Sequence, residues 1–247
     1  MLDEKIERTL SDATELVRGL YGEHLVALGL YGSAAGSDYV DGISDINLVI
    51  VLKAVEHAHV QALRPHLGGW RKQRIATPLL LDRAFLEDAA DVFPMELLDI
   101  QAQHRILYGE NVFASLAVSD ANLRYQCEHE ARGKLLRLRQ LYLEIGGRQR
   151  DLERLMLDSL KTFLIIMRNL NRMHGHSSAM SYESVLDTFS KAHHASLPVT
   201  SELLRIKLAK SQWNGERETT FRAYVDELQH IIRVIDQIKD QEGAVDE

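Results

Sequence analysis

Two patterns of apolar residues divide the chain. As far as about residue 115, short apolar runs alternate with helical stripes; beyond it only helical stripes remain. Ile6, Leu10, Ala13, Leu16, Val17 and Leu20 predict an amphipathic helix over 3–20. A first strand is predicted at about 24–31. The run Leu48-Val49-Ile50-Val51-Leu52 predicts a second over 46–52, buried on both faces. Between them, residues 33–43 carry Gly36 and Gly42 and are expected to form a short helix after a Gly32-Ser33 turn. Residues 54–66 read as a helix ending before Gly68-Gly69. Pro78 to Leu81 reads as a short strand, 83–92 as a brief helix, and Pro94 to Ile100 as another strand. A segment through Leu107-Tyr108-Gly109 closes the unit. Such alternation predicts a small α/β domain.

The later stripes are longer. Over 120–145, Leu123, Cys127, Ala131, Leu135, Leu138, Tyr142 and Ile145 share one face. Glu128 with Arg132, and Glu130 with Lys134, have the spacing of helical ion pairs. Residues 150–173, with an apolar centre at Phe163–Met167, predict the buried helix of a bundle. Shorter helices are expected over 181–193 and 200–212. A last long one, over 216–241, carries Phe221, Tyr224, Leu228, Ile231, Ile235 and Ile238. Short connections predict an antiparallel bundle. The fold class expected is α+β: a small mixed-sheet domain over 1–116, then an all-α bundle over 117–247.

Composition narrows the function classes. The net charge of −7 argues against a general nucleic-acid binder, which needs a basic surface for phosphates. The single cysteine, Cys127, excludes an internal disulfide or a cysteine-based zinc site and fits the reducing cytoplasm. The amphipathic start does not read as a signal peptide, and no run approaches the ~18 apolar residues of a membrane span. A homodimer is expected to cover exposed strand edges and helical faces.

The polar residues around the first two strands carry the chemistry. Gly32-Ser33 follows the first strand, and Asp45-Ile46-Asn47 opens the second. Asp45 and Asn47 alternate along an extended chain and so share a face. Turn, spacer, Ser44-Asp45 and buried strand together resemble the signature of the DNA polymerase β-type nucleotidyltransferase superfamily. That signature is a Gly-Ser, about ten spacer residues, then Asp-x-Asp opening a buried strand. A domain of this kind followed by a bundle also resembles the kanamycin-type aminoglycoside nucleotidyltransferases.

The resemblance implies a nucleotide site. Gly32 and Ser33 would contact the triphosphate of an NTP substrate, and Asp45 would bind Mg²⁺. Here the second carboxylate of the motif is Asn47, which offers a neutral oxygen and no charge. The superfamily takes a third carboxylate from a neighbouring strand. Glu96 is the first candidate, because an apolar strand around it would make an idle carboxylate costly, and Asp99 is the reserve. Catalytic residues are thus expected at Asp45 and Glu96, and metal ligands at Asp45, Asn47 and Glu96. The activity implied is transfer of NMP to a hydroxyl of a small-molecule or protein acceptor, with catalysis by positioning and charge stabilisation. The alternative is a catalytically degenerate protein of the same fold that binds nucleotide or a partner.

Two other patterns bear on function. Glu128-His129-Glu130 could supply a base across a cleft, or simply pair with Arg132 and Lys134. Arg168-Asn169-Leu170-Asn171-Arg172-Met173-His174 resembles the Arg-Asn-x4-His motif of HEPN ribonucleases. That implies a metal-independent RNase using Arg168 and His174, although basic residues also favour helix C-termini through the macrodipole.

Overall fold

The structure is a computed structural model, and it describes residues 4–36, 45–146, 148–177 and 181–243. Two compact units divide at Ser119 and Asp120.

The first unit opens with helix α1, Glu4–Tyr21, which buries Ile6, Leu10, Ala13, Val17 and Tyr21 at helical spacing. Strand β1, Leu25–Tyr31, runs into a 3₁₀ turn at Gly32–Ala34. The short helix expected over 33–43 is this single turn at its start; residues 37–44 lie outside the described part. Strand β2 is Asn47–Leu52, and five of its six residues are buried, as its apolar run predicts. Helix α2, His57–Leu63, continues through a 3₁₀ turn into α3, Leu67–Lys72. Then come β3 (Leu79–Asp82), α4 (Arg83–Asp88), α5 (Pro94–Ala102) and β4 (His104–Gly109).

The sheet order is β3-β2-β1-β4. β1 is antiparallel to both β2 and β4, and β2 is parallel to β3, so the sheet is mixed. Leu28, Leu30, Leu48, Ile50 and Leu52 pack on one side with α1, Leu63, Trp70 and Ile75. Ala27, Val49 and Val51 pack on the other with Leu86, Leu97, Ile100 and Phe113. With both faces covered, β2 reads as a continuous apolar run rather than an alternating one.

One expectation is corrected. Residues 94–100 form helix α5, not a strand. Pro94 occupies its start, where a missing N–H costs nothing, and Pro94, Leu97 and Ile100 recur every third residue on the buried side. A short apolar run does not by itself distinguish the two periods. The helix expected over 54–66 does end before Gly68-Gly69, at Leu63 with a 3₁₀ turn to His66, but the glycine pair is not a loop: it lies inside α3, where buried Trp70 anchors the segment.

The second unit contains α6 (Asp120–Ile145), α7 (Gln149–Met173), α8 (Tyr182–Ala192), α9 (Pro198–Lys207) and α10 (Arg217–Gly243). Phe163, Leu164, Ile166, Met167 and Leu170 of α7 are buried, as the apolar centre predicts. Arg132 ties α6 to α10 through Asp236, 2.7 Å away, and also pairs with Glu128. The start of α9 is capped from another helix. Glu227 accepts from the Val199 and Thr200 amides, both at 2.8 Å, and from the Thr200 hydroxyl at 2.7 Å. These are amides a helix leaves open at its first turn.

Candidate functional site

The Gly-Ser turn and the start of β2 meet because β1 and β2 are neighbours. Tyr31 pairs with Asn47 in the antiparallel register. Gly32 adopts φ +74°, and a Cβ there would meet the Asn47 amide nitrogen at 3.3 Å. An L side chain would be strained there by about 1–2 kcal/mol. The Gly32 N–H donates to the Gln103 carbonyl at 3.1 Å, which seats the C-terminal end of α5 against the turn. Within the turn, the Ala35 N–H donates to the Gly32 carbonyl at 2.9 Å. Gln103 was not a candidate from sequence; its role is made by its backbone carbonyl, which side-chain patterns do not reveal.

Asp45 and Asn47 flank buried Ile46, so they lie on the opposite side of the strand from it. Arg74 lies beside Asp45, its Nη2 atom 3.4 Å from Oδ1. The backbone brings them together. The Ile46 N–H donates to the Arg74 carbonyl, and the Ala76 N–H donates to the Ile46 carbonyl, both at 2.9 Å. Ile46 and Ile75 form a parallel bridge.

The local fold at Arg74 is a complete helix stop. The Ile75 N–H donates to the Trp70 carbonyl at 2.9 Å, and the Arg74 N–H to the Arg71 carbonyl at 3.1 Å. Trp70 and Ile75, five residues apart across the helix end, join the same apolar cluster. This is the Schellman arrangement, whose left-handed position is usually glycine. Arg74 holds it instead, at φ +63°. A side chain at this position costs about 1 kcal/mol relative to glycine.

Of the carboxylates expected at the site, Asp45 stands next to Asn47, and Glu96 does not belong to the sheet. Glu96 lies in the first turn of α5 and is exposed. It is seven residues, roughly 10 Å of helix, from Gln103 at the Gly32 turn. The reserve candidate, Asp99, is nearer along the helix: its carbonyl accepts from the Gln103 N–H at 3.1 Å.

Mg²⁺ needs hard oxygen ligands, with one or two carboxylates as a rule. Among the described residues, those around the turn do not fit it. Asp45 is shared with the Arg74 cation, and Asn47 is neutral. The neighbouring strand, β3, carries one carboxylate, Asp82, and it pairs opposite Leu52, at the far end of β2 from Asn47. There Asp82 accepts from the Val55 amide at 3.1 Å and the Phe85 amide at 2.8 Å, capping α4. Among the described residues, no group of three or more His, Cys, Asp or Glu is arranged to hold a metal ion.

In the second unit, Arg168 is buried and its guanidinium lies 5.2 Å from the Tyr182 ring centre. The His174 ring nitrogen lies 3.0 Å from the Leu170 carbonyl, and the ring packs edge-on against His193 at 4.9 Å. Both residues of the Arg-Asn-x4-His pattern thus make contacts within the second unit. Glu128 pairs with Arg124 and Arg132, which hold its carboxyl below the ordinary range. A depressed pKa suits an ion-pair partner better than a general base.

No helix among the described residues is long and apolar enough to cross a membrane. No protein-family profile and no curated protein sequence matches the chain. Solved structures do match. One is the spectinomycin adenyltransferase AAD(9) from Enterococcus faecialis, with ATP and spectinomycin. It is 10% identical, the match covers 90% of this chain and 99% of that one, and the TM-score is 0.57. Another is a nucleotidyltransferase-like protein from Exiguobacterium sibiricum, 13% identical over 92% of this chain and 74% of that one; its TM-score of 0.31 is too low to bear on the fold. At 10% identity the first likeness speaks of fold alone: this chain has the α+β fold of a nucleotidyltransferase, with a helical C-terminal part.

Proposed function

We propose that the chain binds a nucleoside triphosphate, with its phosphates on the Gly32-Ser33 turn and beside Asp45 and Asn47. The observation that supports this most directly is the tight seat of Gly32, at φ +74°, beside the Asn47 side-chain amide, where an added Cβ would come within 3.3 Å. It holds a turn without a side chain against the polar start of β2, leaving room for a phosphate to approach the backbone. The proposed core function is nucleotide binding by a nucleotidyltransferase-fold protein whose transfer chemistry is attenuated. Attenuation follows from Asn47 and from the helical position of Glu96, which leave the motif with one carboxylate.

A second reading is transfer itself. An acceptor hydroxyl would form a bond to the α-phosphorus while the bond to pyrophosphate breaks, yielding an NMP ester. The name of the structural neighbour, an adenyltransferase with ATP and spectinomycin, favours this reading and a small-molecule acceptor. A protein hydroxyl is the other acceptor class.

The test is titration calorimetry of ATP, GTP, CTP and UTP against the wild type and Ser33→Ala. Saturable binding of at least one nucleotide, weakened by the substitution, is the expected result. No heat from any of the four overturns the reading. Pyrophosphate release with a panel of aminocyclitols, or label transfer onto protein, separates the second reading from the first.

A further inference from the structure

Resting on that nucleotide-binding reading, we propose that Arg74 takes the place of the metal: the site binds phosphate directly through an arginine and is metal-independent.

Three independent observations converge on this residue. Its guanidinium is 3.4 Å from Asp45, the one charged residue left in the Asp-x-Asn motif. Its backbone is laced to Ile46, between the two motif positions, so the pairing is set by the sheet rather than by a wandering side chain. Its conformation, φ +63°, is one that glycine adopts without strain at a helix stop of this kind. A strained residue at a candidate site points to a use for its side chain.

The charge balance agrees. With two carboxylates and no cation, such a motif attracts a dication, which in turn holds a polyanion. With one carboxylate and one guanidinium, the set has no net charge and repels a phosphate less than any metal-free carboxylate pair would. Arginine presents a planar fork of donors that matches phosphate oxygens in pairs. The Arg74 side chain is 41% exposed, so an incoming phosphate can reach it. Asp45 then acts as a positioning residue: it holds the guanidinium at the motif until phosphate competes for it. The ligand class is a nucleoside di- or triphosphate without bound divalent cation.

The two kinds of site respond oppositely to one substitution. In a metal site Asp45→Asn removes a ligand and abolishes binding. In an arginine site it removes a competing carboxylate from Arg74 and tightens binding. The experiment is calorimetry of ATP with the full chain, in EDTA and in MgCl₂, on wild type, Asp45→Asn, Arg74→Gly and Arg74→Asn. Binding in EDTA is expected to be at least as tight as in MgCl₂. Asp45→Asn should tighten it severalfold. Both Arg74 variants should weaken it about tenfold or more, the loss of a charge-assisted hydrogen bond. Gly and Asn both tolerate positive φ, so their Tm should equal or exceed the wild type's, which separates lost binding from lost folding.

A requirement for Mg²⁺ with loss of binding in Asp45→Asn overturns the inference and leaves the nucleotide reading standing. Unchanged affinity in the Arg74 variants overturns it as well. Absence of binding by every nucleotide in both buffers overturns both.

Discussion

Arg74 lies 3.4 Å from Asp45 although 29 residues separate them in sequence. The pair forms because a helix stop and a strand start share one parallel bridge, Ile46 to Ile75. It places a cation beside the one carboxylate of the Asp45-Ile46-Asn47 segment.

Restoring that carboxylate tests the electrostatics. Asn47→Asp adds a negative charge two residues from Asp45, about 7 Å along the strand. The added charge repels a phosphate, and a loss of about fivefold in affinity corresponds to roughly 1 kcal/mol. Calorimetry in EDTA should show that weakening, and titration of Mn²⁺ followed by its paramagnetic resonance should show metal affinity absent from the wild type.

The turn is sterically committed. Gly32→Ala places a Cβ at φ +74° and 3.3 Å from the Asn47 amide nitrogen. A loss of about 1–2 kcal/mol is expected, read as a lower urea midpoint at unchanged slope. Gly19, which would meet nothing within 4 Å in α1, is the control, and Gly19→Ala should stabilise.

Glu227 links two helices of the second unit and carries a pH signature. Glu227→Ala leaves the Val199 and Thr200 amides without their cap and should cost about 1–3 kcal/mol in chemical denaturation. Burial raises the Glu227 carboxyl above the usual range, outweighing the hydrogen bonds from Thr200 and Val199. The folded state therefore holds its proton to higher pH than the unfolded chain does. The stabilising contribution is present below the unfolded value, near 4.5, and is lost as pH rises through the folded value. Glu227→Gln should flatten the stability profile in that window.

His193 has the opposite slope. Burial, then the charges of His174, His176, His194 and His230, lower it to about 4. The folded state binds fewer protons than the unfolded one between about 4 and 6.5, so stability falls as pH drops through that window. Its half-exposed ring limits the effect to well under the ~1.4 kcal/mol per unit of a fully shielded group. His193→Gln should reduce the acid sensitivity measured by urea unfolding at pH 7 and pH 5.

What the residue order determined by itself was whatever depends on near neighbours. The apolar run of β2, the stripe of α1 and the long helices α6, α7 and α10 were legible because their periods repeat within one element. So was the adjacency of a glycine turn and a polar strand start, since a strand, turn and strand in that order fold back on themselves. The run from Pro94 to Ile100 was not legible as a helix: seven residues satisfy both periods, and only packing of Leu97 and Ile100 against Val49, Val51 and Phe113 decided between them. That packing carried Glu96 off the sheet and brought the Gln103 carbonyl to Gly32 instead. The Arg74–Asp45 pair likewise has no local signal. A lone arginine after a helix reads as a C-terminal charge, and its meeting with Asp45 required the chain to pass through two helices and return alongside β2, where backbone hydrogen bonds to Ile46 fixed which residue would stand there.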